Sequence, residues 1–123
     1  MHSKLRTLVF AVSAIICLSA CAQPGKGTYS KAKLDSIVAA HPNVIVDFYA
    51  PWCGPCRQME PAIGKIEKDG MLHVVRVNID NNLELRALYF VTEIPMVLCF
   101  RDGKQTMRME GMQTAESIYS QFK

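Results

Sequence analysis

The sequence predicts a single α/β domain whose central mixed β-sheet is flanked by helices. Apolar runs of strand length alternate with segments of helical periodicity in the first part of the chain, which indicates parallel strand pairing. Two further strand-like runs, joined by an Asp-Gly turn, predict an antiparallel hairpin near the C-terminus. The 123 residues, half of them apolar, have room for one domain with a substantial core.

Three helices and two strands are predicted before residue 90. Ser30 is placed to cap the first helix, which ends at the segment His41-Pro42-Asn43. The near-continuous apolar run that follows is typical of a buried strand. Pro61 is expected to kink the second helix, because its ring removes a backbone donor. In chain order we predict a helix up to about residue 40, a strand over 44–49, a helix over about 53–68, a strand over 72–80, a capping turn over 80–82 and a helix over 83–89.

The C-terminal part of the domain is predicted to be a hairpin followed by a helix. Met107 and Met109 alternate with polar residues and are expected to point inward. Ile118 and Phe122 lie at helical spacing and are expected to face the sheet. The elements are a strand over 96–101, a turn at Asp102-Gly103, a strand over 105–110 and a helix capped by Thr114.

The N-terminus has the pattern of an export leader. His2, Lys4 and Arg6 precede an apolar stretch over residues 8–18 that is too short to span a bilayer. The following Leu18-Ser19-Ala20-Cys21 resembles the bacterial lipobox, in which the cysteine is acylated and becomes the first mature residue. An ordinary signal peptide and a core helix are the alternatives. We therefore expect a lipoprotein signal peptide over 1–20, a tether over 21–28 and the folded domain over 29–123.

Bulk charge excludes partners that are recognised through electrostatics alone. The 14 basic and 11 acidic residues give a formal charge of +3, and loss of Lys4 and Arg6 with the leader would leave +1. No cluster of basic residues remains after residue 20, so we expect no nucleic-acid partner.

The segment Trp52-Cys53-Gly54-Pro55-Cys56 carries the chemistry. Two thiols at this spacing can close into one disulfide and reopen, and here they follow a buried strand at the start of a helix. A permanent structural disulfide and half of a zinc site are the alternatives. Zinc needs four ligands, and no second metal-like spacing is present, so we expect neither a metal nor another cofactor.

Two separated motifs resemble the thioredoxin family. Residues 46–57 are similar to its active-site signature, almost residue for residue. Ile94-Pro95, the apolar run over 96–100, the turn beginning at Asp102 and then Gly111 occur in the family's order. The resemblance implies a thioredoxin fold from about residue 28 to the end. Residues 26–30 are a poor substitute for the family's first edge strand, which we expect to be short or missing.

The resemblance also implies the roles of individual residues. Cys53 would be the attacking thiol, which the helix N-terminus favours as a thiolate, and Cys56 the resolving thiol. Asp47, in the middle of an apolar strand, would be a buried carboxylate that takes the proton from Cys56; a half-exposed strand end is the alternative. A cis Pro95 would leave the backbone of Ile94 free to pair with substrate. The expected docking residues are Trp52, Gly54, Pro55, Ile94, Pro95 and Gly111.

Three residues stand apart from this pattern. Arg76 occupies a position where thioredoxins commonly carry a lysine near the buried aspartate, and Tyr49 one where many carry tryptophan. A guanidinium cannot act as a proton donor. Cys99, in an apolar strand, is interpreted as a core residue.

These observations predict a protein-disulfide reductase of the bacterial cell envelope. Gly54-Pro55 resembles reducing thioredoxins. Its expected partners are disulfide-bonded exported proteins and a membrane electron donor that recharges the dithiol. We expect a monomer held by lipid on Cys21 and facing the periplasm, and the lack of Asp at position 22 favours the outer membrane. The alternatives are an envelope oxidase or isomerase, and a thioredoxin-fold binding module without catalysis.

Overall fold

The computed structural model describes residues 27–123. The predicted signal peptide, Cys21 and most of the predicted tether lie outside the described residues. In the described part of the chain, no helix is long and apolar enough to cross a membrane.

The structure is a four-stranded mixed sheet with helices on both faces, which confirms the predicted fold class. The strands are β1 (Asn43–Tyr49), β2 (His73–Asn78), β3 (Met96–Arg101) and β4 (Lys104–Glu110), and the helices are α1 (Lys31–Ala40), α2 (Gly54–Asp69), α3 (Leu83–Leu88) and α4 (Ala115–Ser120). The strand order is β2-β1-β3-β4. β1 pairs in parallel with β2, whereas the β1–β3 and β3–β4 pairs are antiparallel. Within residues 27–123, no strand precedes α1.

Each face of the sheet has its own apolar core. On one face, α1 and α3 contribute Leu34, Val38 and Leu85 to a cluster with alternate residues of β1 and β3. On the other face, α2 and α4 pack against the remaining alternate residues, which include Ile45 and Cys99. The five central residues of β1 are all buried, and consecutive strand residues point to opposite faces. Both faces of β1 are therefore covered, which is why its sequence is apolar almost throughout.

Local signals fix several helix ends as predicted. Ser30 Oγ accepts a hydrogen bond from the Lys33 N–H, and Thr114 Oγ1 accepts one from the Ser117 N–H. Gly70 ends α2 with a φ of 66°, a conformation that favours glycine. The helix α2 continues through Pro61 and does not end there.

Asn82 occupies the N-cap position of α3, at the end of the capping turn predicted over residues 80–82. Its side chain makes no cap hydrogen bond to α3. Instead Oδ1 accepts from the Tyr29 N–H at 2.6 Å, and Nδ2 donates to the carbonyl oxygens of Asn78 at 2.9 Å and Gly27 at 3.3 Å. The buried amide thus attaches the segment before α1 to the turn after β2.

The predicted inward orientation of the β4 methionines holds for only one of them. Met109 packs against the core beneath α2 and α4, but Met107 is exposed. β4 is an edge strand, and its pairing with β3 shifts register between Cys99 and Phe100. Met107 thus remains exposed at the edge of the sheet, although its partner Cys99 is buried.

Cys99 is a core residue, as its apolar strand suggested. It is fully buried on β3, and burial raises the pKa of its thiol to about 11. A thiol in this state is a poor nucleophile at neutral pH.

Replacing Asn82 with Ala should lower the free energy of unfolding by about 2 kcal/mol, because the Tyr29 N–H and two carbonyl oxygens lose their partner. Urea unfolding measures the change. Asn81→Ala is the matched control, since Asn81 is exposed and should cost less than about 0.5 kcal/mol. Equal effects of the two substitutions would contradict the anchoring role of Asn82.

Candidate active site

The two motif cysteines lie at the start of α2, directly after the central strand. The Cys53 N–H donates to the Ala50 carbonyl oxygen at 3.2 Å, which closes the turn that leads out of β1. Cys53 is the N-cap residue of α2, and its Sγ accepts a hydrogen bond from the Cys56 N–H at 3.2 Å. Cys53 and Cys56 form a disulfide with Cα atoms 5.3 Å apart. In the reduced form, the same N–H and the helix dipole would stabilise a thiolate at Cys53.

A second loop brings its backbone to the disulfide. The Ile94–Pro95 peptide bond is cis, and the Ile94 carbonyl oxygen lies 3.8 Å from Cys53 Sγ. The Gly111 N–H donates to the Pro95 carbonyl oxygen at 2.9 Å, and Gly111 has a φ of 77°. The structure therefore brings together Cys53, Ile94, Pro95 and Gly111, which are far apart in the sequence.

The surface beside the disulfide is apolar and exposed. Trp52 is 65% exposed, and its Nε1–H donates to Asp80 Oδ2 at 3.0 Å, which holds the ring against the turn after β2. Pro55 is also exposed, and Gly54 is half-buried. Met112, which sequence reasoning missed, is exposed next to Gly111. Exposed apolar side chains around a reactive pair are typical of a docking surface.

Asp47 is buried on the face of β1 that α2 covers. It is 1% exposed, and the Arg76 Nε–H donates to its Oδ2 at 3.2 Å. Its Oδ1 is buried without a hydrogen-bond partner among residues 27–123, so Asp47 makes no direct hydrogen bond to Cys56 in the disulfide form. Burial raises the pKa of Asp47 from 3.8 to about 6, although the charge of Arg76 opposes that shift. A carboxyl group with this pKa can exchange a proton near neutral pH.

Arg76 connects Asp47 to a second carboxylate that sequence reasoning missed. The guanidinium is almost fully buried, and its two terminal nitrogens donate to the two Glu60 oxygens at 2.8 and 2.6 Å. Its Cζ also lies 4.4 Å from the centre of the Tyr49 ring. A charged residue in a buried strand, such as Arg76, needs an opposite charge nearby, and this was the only signal in the sequence. Nothing in the residues around Glu60 identified it as the partner.

A cavity at the opposite end of the sheet carries no comparable chemistry. Its volume is about 380 Å³, and its lining includes His41 and His73, whose rings stack with centroids 3.7 Å apart. Parallel stacked rings do not converge on a metal ion. No group of three or more metal-ligating side chains occurs in the part of the chain that the structure describes.

Known proteins resemble this chain in both sequence and structure. The Thioredoxin family model matches residues 26–123. The chain is 38% identical over 96 residues to Thioredoxin 1 of Nostoc sp., a match that covers 76% of this chain and 86% of that protein. It is 34% identical over 94 residues to the thioredoxin of Mycoplasma genitalium, covering 76% and 92%. The X-ray structure of Fasciola hepatica thioredoxin superposes with a TM-score of 0.66 at 29% identity, covering 74% of this chain and 90% of that one.

Replacing Asp47 with Asn should stabilise the protein in a pH-dependent manner. The folded state binds the Asp47 proton more tightly than the unfolded state, so wild-type stability falls as the pH rises from about 4 to about 6. The advantage of the variant should therefore grow by roughly 2 kcal/mol between pH 4 and pH 7.

Urea unfolding of both proteins at several pH values measures this difference. Asp35→Asn is the control, because that carboxylate is exposed on α1 and should give little change. A difference between wild type and Asp47→Asn that is constant with pH would show that Asp47 has no raised pKa.

Proposed function

This chain belongs to the thioredoxin family and is a thiol-disulfide oxidoreductase, and from that premise we propose that it is a protein-disulfide reductase of the bacterial cell envelope. The observation that supports the chemistry is the Cys53–Cys56 pair at the start of α2, beside Pro95. The envelope location rests on the lipobox-like segment that ends at Cys21. Gly54 and Pro55 between the cysteines favour the reducing direction, as in the family members that the motif resembles.

The proposed reaction transfers two electrons from the dithiol to a substrate disulfide. The Cys53 thiolate attacks one sulfur of the substrate disulfide, and the other substrate sulfur leaves as a thiolate. Cys56 then loses its proton to Asp47, through a water where the distance requires one, and attacks Cys53 Sγ. The second substrate thiolate is released, both substrate thiolates take protons, and the protein is left as the Cys53–Cys56 disulfide.

Two properties of Asp47 support its role as the proton acceptor. Its Oδ1 has no protein hydrogen-bond partner in the described part of the chain, which leaves an acceptor site on the face of the sheet beneath α2. Its pKa of about 6 lets the carboxylate accept a proton from a thiol and release it again near neutral pH. No metal or organic cofactor takes part in this scheme.

Substrates are proposed to bind as extended segments of disulfide-bonded exported proteins. The Ile94 carbonyl oxygen next to Cys53 Sγ can accept a backbone hydrogen bond from such a segment. Trp52, Pro55 and Gly111 form the surrounding rim, together with the exposed Met112. Recognition through backbone and a small apolar rim suits many different substrates.

The direction of electron flow depends on a partner. Thioredoxin has a potential of about −270 mV, whereas the periplasmic oxidant DsbA is near −120 mV. In an oxidising envelope, a reductase must be recharged by a membrane electron donor, which we propose as the second partner. Without that donor the protein would stay oxidised and act as an oxidase or isomerase. A binding module without catalysis is disfavoured, because both cysteines and the buried Asp47 are present.

Trapping the redox state in intact cells tests the reductase direction. The proposed mature protein lacks Cys17 and carries lipid on Cys21, so three cysteines remain to be labelled. After an acid quench and denaturing reaction with a heavy maleimide, its dithiol form should take up three labels, at Cys53, Cys56 and Cys99, and its disulfide form one. We expect most molecules to carry three. A Cys99→Ala variant, which should carry two labels or none, checks the assignment of the bands. A predominance of the disulfide form would refute the reductase direction.

Lipid labelling tests the proposed anchor at Cys21. Growth with a radioactive or clickable fatty acid should label the wild-type protein, and Cys21→Ser should abolish the label. Cys17→Ser is the matched control, because Cys17 lies in the predicted leader and its loss should leave labelling intact. Label that persists in Cys21→Ser would rule out the lipobox, and fractionation of the labelled protein reports which membrane holds it.

A further inference from the structure

The buried guanidinium of Arg76 is shared unequally between two carboxylates. Both terminal nitrogens donate to Glu60, at 2.8 and 2.6 Å, while Nε makes a single longer hydrogen bond of 3.2 Å to Asp47. Tyr49 stacks against the same group with Cζ 4.4 Å from the ring centre. Three neighbours therefore fix the position and the rotation of the guanidinium.

This arrangement determines how many oxygens of the Asp47 carboxylate accept a hydrogen bond from Arg76. An arginine fork forms its strongest contact when two N–H groups meet two carboxylate oxygens. Here Glu60 occupies that contact, so Asp47 receives only the Nε–H, and no side chain or backbone group of the described residues donates to its Oδ1. Without the Glu60 contact, the guanidinium would be free to turn two N–H groups toward Asp47 and engage both of its oxygens.

We propose that Glu60 is a positioning residue for the resolving step: it holds Arg76 so that Asp47 Oδ1 stays free to take the proton from Cys56. The proposal rests on the proton-accepting role of Asp47 in the proposed function. Glu60 touches neither cysteine nor substrate in this scheme and acts only through Arg76.

The charged groups around Asp47 determine the sign of the expected effect. Arg76 faces it from β2, Glu60 and Glu67 act on it from α2, and its β3 neighbour Val97 is apolar. The negative charge of Glu60 raises the pKa of Asp47, and a more closely paired Arg76 would lower it. Loss of Glu60 should therefore lower the pKa of Asp47 by both routes and make it a weaker base.

A two-phase reaction with dithiobis(nitrobenzoate) separates the two chemical steps. The reduced protein releases one chromophore when Cys53 attacks the reagent and a second when Cys56 attacks the mixed disulfide. In Glu60→Gln the second phase should slow about threefold at pH 7, as expected for a base about one pKa unit weaker, and its pH midpoint should fall. The first phase serves as the internal control.

Two further variants distinguish the positioning of Arg76 from a simple effect of the negative charge of Glu60. Glu67→Gln removes one negative charge from α2 without breaking any contact with Arg76, so its pH midpoint should shift less than that of Glu60→Gln. Glu60→Asp keeps the charge but shortens the side chain, so it should still slow the second phase. Equal shifts in Glu60→Gln and Glu67→Gln, or a wild-type rate in Glu60→Asp, would overturn the positioning role. Thermal unfolding confirms that each variant is folded at the assay temperature.

Asp47→Asn separates the failure of this inference from failure of the proposed mechanism. If Glu60 acts through Asp47, Glu60→Gln should have no further effect in the Asp47→Asn background. If Asp47→Asn changes the second phase but neither Glu60 variant does, the inference about Glu60 is wrong and the role of Asp47 stands. If Asp47→Asn leaves the second phase unchanged at every pH, the proposed proton transfer is wrong, and the role of Glu60 falls with it.

Discussion

The position of β1 between two paired strands is the constraint on which the active site depends. Parallel pairing with β2 sets Asp47 opposite Arg76, and antiparallel pairing with β3 sets it opposite Val97. A slip of one residue would move Asp47 to the other face of the sheet, away from α2, and would bury the wrong set of side chains. The same register ends the strand at Tyr49, whose carbonyl oxygen accepts the Ile79 N–H at 2.9 Å, and so places the turn that carries Cys53.

Ionisation of Asp47 lowers the stability of the fold, although the proposed proton transfer needs the ionised form. A carboxyl group in the middle of a buried strand destabilises the fold when it ionises, and Arg76 offsets only part of that cost, since the pKa of Asp47 is still raised to about 6. Complete pairing of Asp47 would make the fold more stable and the carboxylate a weaker base. Sites where local rules of stability are broken while the rest of the chain obeys them are often functional.

Local patterns predicted most of the fold, and contacts between distant segments account for what they missed. The bounds of β3 and the caps at Ser30 and Thr114 depend on neighbouring residues, so the sequence shows them directly. The hydrogen bonds of the Asn82 amide to Tyr29 and Gly27 could not be predicted, because they join segments more than 50 residues apart. The contact between Glu60 and Arg76 was equally invisible, since it exists only when α2 lies across β2.

Arginine in place of the family's common lysine changes which group in this cluster can titrate. Arg76 stays charged at every relevant pH, so neither its proton nor its charge can be given up during catalysis. With Glu60 and Asp47 ionised, the three groups carry one net negative charge, and protonation of Asp47 makes the cluster neutral. Burial disfavours net charge, so the low-dielectric surroundings favour the protonated form of Asp47 and help to bring its pKa to about 6. Glu60 thus offsets part of the lowering effect of Arg76 on the pKa of Asp47, and the proposed proton transfer uses Asp47 alone, since Arg76 on β2 cannot supply or take a proton.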